Sequence, residues 1–166
     1  MLTSLNNIVP VDFALIILIA ATLFTILWGF DSLTHKKLVE IDITDTELQT
    51  HRNILVCSLL MELSLIFMFW SPWISLPFFI AFFITRLSHE FIDELHYHTE
   101  RCKPYENYLH LGMWTSVLIK TFGMFIWGFF LQFKGVLNMP TYIYSWGAIV
   151  LISMSIISYF EWKRGL

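Results

Sequence analysis

Charged residues are scarce in this chain. Asp, Glu, Lys and Arg make up 14% of its 166 residues, whereas 57% are hydrophobic and the mean hydropathy is +0.66. This composition excludes an ordinary soluble domain and is typical of an integral membrane protein. The net charge is -3 and there is no run of basic residues, so the sequence gives no reason to expect a nucleic-acid partner.

Cysteines and catalytic signatures are also few. The two cysteines, Cys57 and Cys102, do not make a disulfide scaffold. The sequence contains no nucleophile elbow, no Gly-rich phosphate loop, no Cys-x-x-Cys pair and no His-Glu-x-x-His motif. The enzyme classes that depend on these motifs are therefore not indicated.

Long apolar stretches predict an all-α integral membrane protein with about five transmembrane helices in a single domain over residues 1–166. Each stretch supplies the ~20 residues that cross a bilayer. The apolar run between Asn53 and Thr85 is too long for one helix. Pro72 divides it, because proline disrupts a helix interior and biases the preceding residue away from helix. The predicted spans are about 10–38, 45–70, 74–101, 105–133 and 140–161.

The positive charges fall mainly on one side of this topology. Eight of the ten lysines and arginines lie on one face, whereas Lys134 lies on the other and Lys120 lies within a span. The positive-inside rule therefore predicts a cytoplasmic C-terminus and an N-terminus outside. The eight are Lys36, Lys37, Arg52, Arg86, Arg101, Lys103, Lys163 and Arg164.

Acids and histidines are concentrated in two polar windows, Asp31–Arg52 and His89–His110, which hold all six histidines. The predicted topology places both windows at the cytoplasmic face. Ionisable groups beside membrane spans are costly to retain, so a cluster of them indicates a functional site. Carboxylates and imidazoles are also ligands that iron, manganese and zinc take in proteins.

The two windows correspond under a shift of 59 residues. The shift indicates either a structural repeat or a chance match between regions that are rich in acids and histidines, and both explanations stay open. The matched pairs are Asp31 with Glu90, His35 with Glu94, Glu47 with Glu106, and His51 with His110.

Each window predicts a helical hairpin that extends past the cytoplasmic membrane surface. Thr44 to Glu47 reads as a capping box that starts a helix at about Asp45, and Pro104 suits the first turn of another. We expect the residues that flank each turn to face one another across their own hairpin. Two hairpins side by side would form a four-helix metal-binding bundle, which is the plan of di-iron and di-manganese carboxylate proteins.

Several acids and histidines in these windows lie one helical turn apart and so share a helix face. Any one histidine could have an ordinary interfacial role, but the cluster as a whole favours metal binding. Iron is the expected cofactor, with manganese, zinc or copper as alternatives. The usual Glu-x-x-His spacing of the soluble bundles is mostly replaced by a gap of three residues. The candidate ligands are Asp31, His35, Glu47, His51, His89, Glu90, Asp93, Glu94, His96, Glu106 and His110.

Glu62 and Lys120 differ from the other charges because both lie well inside apolar spans. An unpaired charge at the centre of a span costs about 2.5–3.5 kcal/mol on insertion scales. We therefore predict an intramembrane ion pair between the second and fourth spans. The alternative is a proton or ion relay below the polar windows.

These features favour a membrane-embedded di-metal oxidoreductase that acts on a lipid or another hydrophobic substrate. Such an enzyme would need an external electron donor. The alternatives are a transporter or channel for metal ions or protons, and a non-catalytic subunit of a larger membrane complex. The sequence leaves open whether the chain forms a homo-oligomer.

Overall fold

The computed structural model describes residues 10–39, 44–98 and 104–163. This part of the chain is helical and contains no strand. The five long helices are α1 (Pro10–Val39), α2 (Asp45–Phe67), α3 (Pro72–Ile92), α4 (Pro104–Phe125) and α5 (Thr141–Lys163). A π-helical turn, Asp93–His98, continues α3, and a second one, Ile126–Phe130, continues α4.

The helix boundaries follow local signals in the sequence. The Thr44 hydroxyl accepts a hydrogen bond of 3.3 Å from the Glu47 backbone N–H, which confirms the predicted cap of α2. Helix α3 begins at Pro72 after the turn that follows α2, and α4 begins at Pro104, where the absent N–H costs nothing. The break at Pro72 and the helix start at Pro104 are therefore confirmed.

All five helices are long and apolar enough to cross a membrane. Their exposed surfaces carry many large hydrophobic side chains, such as Ile16, Trp73 and Ile152. Hydrophobic surface on helices of this length suits a lipid environment. The structure therefore confirms the prediction of an all-helical chain with five candidate membrane spans.

Pairing between the helices differs from the prediction of two self-contained hairpins. Helix α1 packs mainly against α4, and α2 packs mainly against α3. Within the described ranges, α1 and α2 hardly touch although they are consecutive in the chain. The expectation that the first hairpin closes on itself was therefore wrong. In the second hairpin His110 does contact Glu94, and further polar contacts join the two hairpins.

Glycine explains the close packing of α1 on α4. A Cβ atom at Gly112 would lie 2.8 Å from Leu27 Cδ1, and one at Gly123 would lie 2.9 Å from Ile17 Cγ1. Both separations are shorter than ordinary van der Waals contact, so a larger residue at either position would displace the facing side chain, most of all at Gly123, where the facing atom is close to the Ile17 backbone. Small residues at membrane helix interfaces act in this way because they let backbones come together.

The apolar core lies at the end of the bundle that is distant from the polar windows. Met61, Leu65 and Met68 are almost fully buried there, near the end of α2. The rings of Phe79 and Phe125 stack with centroids 5.0 Å apart and join α3 to α4. This packing fixes the helices at one end and leaves polar side chains to occupy the other.

Helix α5 packs beside the other four. It lies mainly against α1, where Trp146 Nε1 donates a hydrogen bond of 2.8 Å to the Thr22 hydroxyl. Its contact with α2 is slight. The two helices are therefore separated along much of their length, and a cavity occupies this space.

Candidate metal site and membrane cavity

A group of three potential metal ligands, one of them fully buried, lies between α2 and the π-helical turn after α3. His51 Nε2 is 3.0 Å from Asp93 Oδ1, and Glu47 lies one helical turn before His51. One ligand atom from each of Glu47, His51 and Asp93 falls within 4.8 Å of the others. Glu47 is 1% exposed, so this carboxylate has been removed from solvent. We call these three residues the triad.

A second histidine lies between two carboxylates on the neighbouring helices. His110 Nε2 is 3.2 Å from Asp31 Oδ1, and His110 Nδ1 is 2.6 Å from Glu94 Oε1. A neutral imidazole carries only one N–H. Two simultaneous contacts with carboxyl groups therefore require the imidazolium, a protonated carboxyl group that donates to the second nitrogen, or a metal ion in place of one proton.

The two return helices each bury a glutamate one turn before their histidine. Glu47 precedes His51 on α2, and Glu106, which is 2% exposed, precedes His110 on α4. The Tyr105 hydroxyl donates a hydrogen bond of 3.4 Å to Glu106 Oε1. Burial of a carboxylate is costly unless hydrogen bonds, ion pairs or a metal compensate for lost hydration.

The histidine contacts exchange partners between the two hairpins. His51 of the first hairpin contacts Asp93 of the second, and His110 of the second contacts Asp31 of the first. The packing of α1 with α4 and of α2 with α3 has the same exchange pattern. The 59-residue shift matches Asp31 with Glu90 and not with Asp93, so these two contacts are not equivalent under it. They add contacts between the hairpins to the contact of His110 with Glu94 inside the second hairpin.

The π-helical turn Asp93–His98 widens the helix where it supplies two of these carboxylates. Single π-helical turns inside α-helices occur frequently at functional sites. Asp93 contacts His51 and Glu94 contacts His110, so two adjacent residues of this turn reach the two histidines. The turn thereby links the triad to the second histidine.

Arg86 also belongs to this region, although the sequence indicated it only as one of the positive charges that orient the membrane spans. Its side chain is buried, its Nε donates to Ser58 Oγ at 2.8 Å, and its guanidinium forms an ion pair with Glu90. Glu90 is thus occupied by an arginine rather than grouped with the triad. The spacing of four residues between Arg86 and Glu90 is the signal that could have shown this pair in the sequence.

The charged side chains around the triad and His110 form what we call the polar cluster. A cavity of about 280 Å³ extends from the polar cluster into the apolar part of the bundle. A smaller space of about 80 Å³ shares part of its wall and reaches Glu94 and His110. The polar end of the larger cavity is lined by Asp31, His51, Arg86, Glu90 and Asp93. The remaining wall is mostly apolar and includes Phe24, Trp28, Ile54, Leu55, Leu59, Met113, Val117, Leu151 and Met154.

Glu62 and Lys120 lie farther along the same cavity wall and form an ion pair. Lys120 is buried, and Glu62 is about one-quarter exposed. At 1.5 Å per residue, His51 and Glu62 lie about 16 Å apart along the axis of α2. The ion pair is therefore well below the histidines, as its position in the sequence indicates.

The remaining candidate ligands are not grouped with the triad. His96 is exposed and its ring packs against Tyr97, with centroids 4.9 Å apart. His89 is half-buried, and its Nδ1 has no hydrogen-bond partner among the residues that the structure describes. The side chain of His35 lies outside the described residues. Glu161, near the end of α5, also lines the cavity, although the sequence did not indicate it as a candidate ligand.

Comparisons with protein-family models, with curated proteins and with solved structures find no match to this chain.

Proposed function

We propose that this chain is a membrane-embedded di-metal oxidoreductase, with iron as its metal, that acts on a lipid or another hydrophobic substrate. The observation that carries the proposal is the position of the triad. Glu47, His51 and Asp93 bring one ligand atom each within 4.8 Å, and His51 and Asp93 line the polar end of a mainly apolar cavity. A hydrophobic molecule in this cavity would have its polar end beside the metal ligands.

The ligand chemistry of the triad favours a transition metal. Two carboxylates and one imidazole form a mixed oxygen and nitrogen set, which iron, manganese and zinc accept. Three protein ligands leave coordination positions open for oxygen or water, as in non-haem iron enzymes with two histidines and one carboxylate. Here the proportion of carboxylate is higher, as it is in di-iron bundles.

His110 supports a second metal ion. A metal ion would take the place of the proton between His110 and one of its two carboxylates, Asp31 or Glu94. Glu106, buried one turn away, would supply a further carboxylate ligand. The π-helical turn that carries both Asp93 and Glu94 would hold the two ions near one another.

The proposed reaction is a monooxygenation. One C–H bond of the substrate becomes C–OH, one atom of oxygen is incorporated, and the other leaves as water with two protons and two electrons. An external electron donor supplies the electrons, and the bound metal supplies oxygen activation. The apolar wall would surround the substrate chain and keep water away, and the polar groups at one end would fix its orientation, as the few polar groups of mainly apolar ligand pockets do.

Product analysis tests this function. Purified protein in lipid nanodiscs would be loaded with iron(II), given a chemical reductant and oxygen-18 gas, and its extracted lipids analysed by mass spectrometry. A lipid product that gains one oxygen-18 atom supports the proposal. The matched control is Asp93→Asn, which keeps the size of the side chain but removes a triad carboxylate. Equal product from wild type and Asp93→Asn would contradict the proposal.

A transporter of protons or metal ions is the second candidate function. It is favoured by one observation, that the wall of one cavity includes both the polar cluster and the Glu62–Lys120 pair. Intramembrane acids and bases mark ion and proton pathways in many membrane proteins. Proton flux into proteoliposomes that disappears in Glu62→Gln, with no oxidised lipid formed by wild type, would favour transport over oxidation.

A further inference from the structure

The cavity between α2 and α5 has an opening on the membrane side. Leu59 of α2 and Leu151 of α5 both line the cavity, yet they are 61% and 66% exposed. Side chains that line a cavity and keep more than half of their surface exposed also face the outside of the bundle, which places these two at its mouth. Because the two helices make only slight contact, this mouth lies between them and faces the lipid that surrounds apolar helices of this length.

The size of the cavity suits one hydrocarbon chain. Its volume of about 280 Å³ is at the lower limit of ordinary ligand pockets, which measure about 300–1,000 Å³. Its length is about 16 Å between the levels of His51 and Glu62, measured along α2. A long and narrow space favours a single-chain molecule over a phospholipid with two chains.

The charges of the wall select the head of this molecule. Arg86 and Lys120 are the basic residues of the wall, and each already pairs with an acid, Glu90 or Glu62. Asp93 pairs with His51 and Asp31 pairs with His110, and Glu161 also lines the cavity. A charged head would therefore enter among ionic groups that already have partners. An anionic head would in addition be repelled at short range by the five acids of the wall, which outnumber Arg86 and Lys120.

An uncharged hydroxyl head fits these acids best. A hydroxyl group donates one hydrogen bond, and carboxylates accept hydrogen bonds through both oxygens. An ammonium head would also be attracted to the acids, but it would have to lose its hydration on entering the cavity, which is far more costly for a charge than for a hydroxyl group.

We propose that the cavity binds a single-chain amphiphile with a hydroxyl head, which enters from the bilayer between α2 and α5 and places its head beside Asp31 and Asp93. The assignment of this molecule as the substrate rests on the proposed oxidoreductase function, whereas its binding does not. The head lies at the polar end, and the end of the chain lies near Leu59 and Leu151 at the mouth.

Photocrosslinking tests the proposal. The probe is a long-chain primary alcohol with a diazirine at the end of its chain, incorporated into phosphatidylcholine nanodiscs with the full-length protein. We expect mass spectrometry to find crosslinks on the cavity-lining residues of α2 and α5. We also expect unlabelled alcohol to compete about tenfold better than the carboxylic acid or the trimethylammonium compound of equal chain length.

Adjacent residues on α2 provide matched variants. Leu55 lines the cavity, whereas Val56 is exposed and is not part of its wall. Leu55→Trp should fill the cavity and abolish the crosslinks, and Val56→Trp should leave them unchanged. Met154→Trp, on the opposite wall in α5, is a second blocking variant in case Leu55→Trp does not fold.

The possible results separate the binding proposal from the proposed function. Crosslinks confined to outward residues such as Ile149, or crosslinks that survive both blocking variants, would overturn the binding site. Equal competition by the three head groups would overturn the choice of a hydroxyl head. Crosslinks that persist in metal-free protein, together with no oxidised lipid from the same protein when it is loaded with iron, would support the binding site and refute the oxidoreductase.

Discussion

His110 at the start of α4 lies 3.2 Å from Asp31 near the end of α1, through Nε2 and Oδ1. The two residues are far apart in the sequence and belong to different polar windows, so this contact ties the two hairpins together. It lies on the same pair of helices that Gly112 and Gly123 bring into close contact. Helix packing by glycine therefore positions the polar site.

The contact between His110 and Asp31 should be energetically coupled. Asp31→Asn and His110→Ala should each lower the free energy of unfolding by about 1.5–3 kcal/mol, the range for hydrogen bonds to charged groups. The double variant should lose less than the sum, because each single change already breaks the contact. Unfolding in mixed micelles gives the free energy of unfolding of the metal-free wild type, the two single variants and the double variant. Strict additivity would show that the pair is not coupled.

The Glu62–Lys120 pair gives a second double-variant test. Removal of one partner leaves a buried charge uncompensated, which typically costs about 3–5 kcal/mol. Glu62→Gln and Lys120→Met should each destabilise the protein in detergent, and the combined variant should recover much of the loss. If both single variants fold normally but lose proton flux, a relay would replace the structural ion pair.

The glycines between α1 and α4 should not tolerate larger residues. Gly123→Leu should separate the helices, lower the melting temperature and weaken the polar site through loss of the α1–α4 contact, since its Cβ would already meet Ile17 at 2.9 Å. Overpacking of this kind typically costs about 1–3 kcal/mol. Gly147→Ala is the control, because a Cβ there lies 3.7 Å from Leu18 Cδ2, an ordinary contact. Equal melting temperatures for Gly123→Leu and wild type would contradict the close packing.

The predicted topology places the starts of α2 and α4 at the cytoplasmic face. Asp45 and Tyr105 are exposed in these positions and suit single cysteines in a background of Cys57→Ser and Cys102→Ser. An impermeant maleimide should label neither cysteine in intact cells and both after permeabilisation. Labelling of only one from outside would place the polar windows on opposite faces and exclude a shared site.

Local signals in the sequence predict the helices well. The cap at Thr44 and the prolines at 72 and 104 are properties of short segments, and the structure has helix boundaries at each of them. The intramembrane pair of Glu62 and Lys120 could also be anticipated, because an unpaired charge is costly in an apolar environment and two opposite charges stabilise one another there.

Partner choice between helices could not be predicted in the same way. Hydrophobic periodicity does not say which helix faces which, and the predicted hairpins placed α1 against α2. Glycines 112 and 123 instead favour α1 against α4, which moves the contacts of His51 and His110 to Asp93 and Asp31. The same rearrangement creates the cavity, whose wall combines residues from distant parts of the sequence.

Metal affinity of the triad tests the central claim most directly. Wild-type protein, His51→Ala and the exposed-histidine control His96→Ala would be dialysed against iron(II) without oxygen, and bound iron would be counted by mass spectrometry. We predict that His51→Ala binds iron at least about tenfold more weakly than wild type. A loss of this size is found even for residues that only hydrogen-bond to metal ligands. His96→Ala should bind iron like wild type. Equal binding by wild type and His51→Ala would contradict a metal site at Glu47, His51 and Asp93.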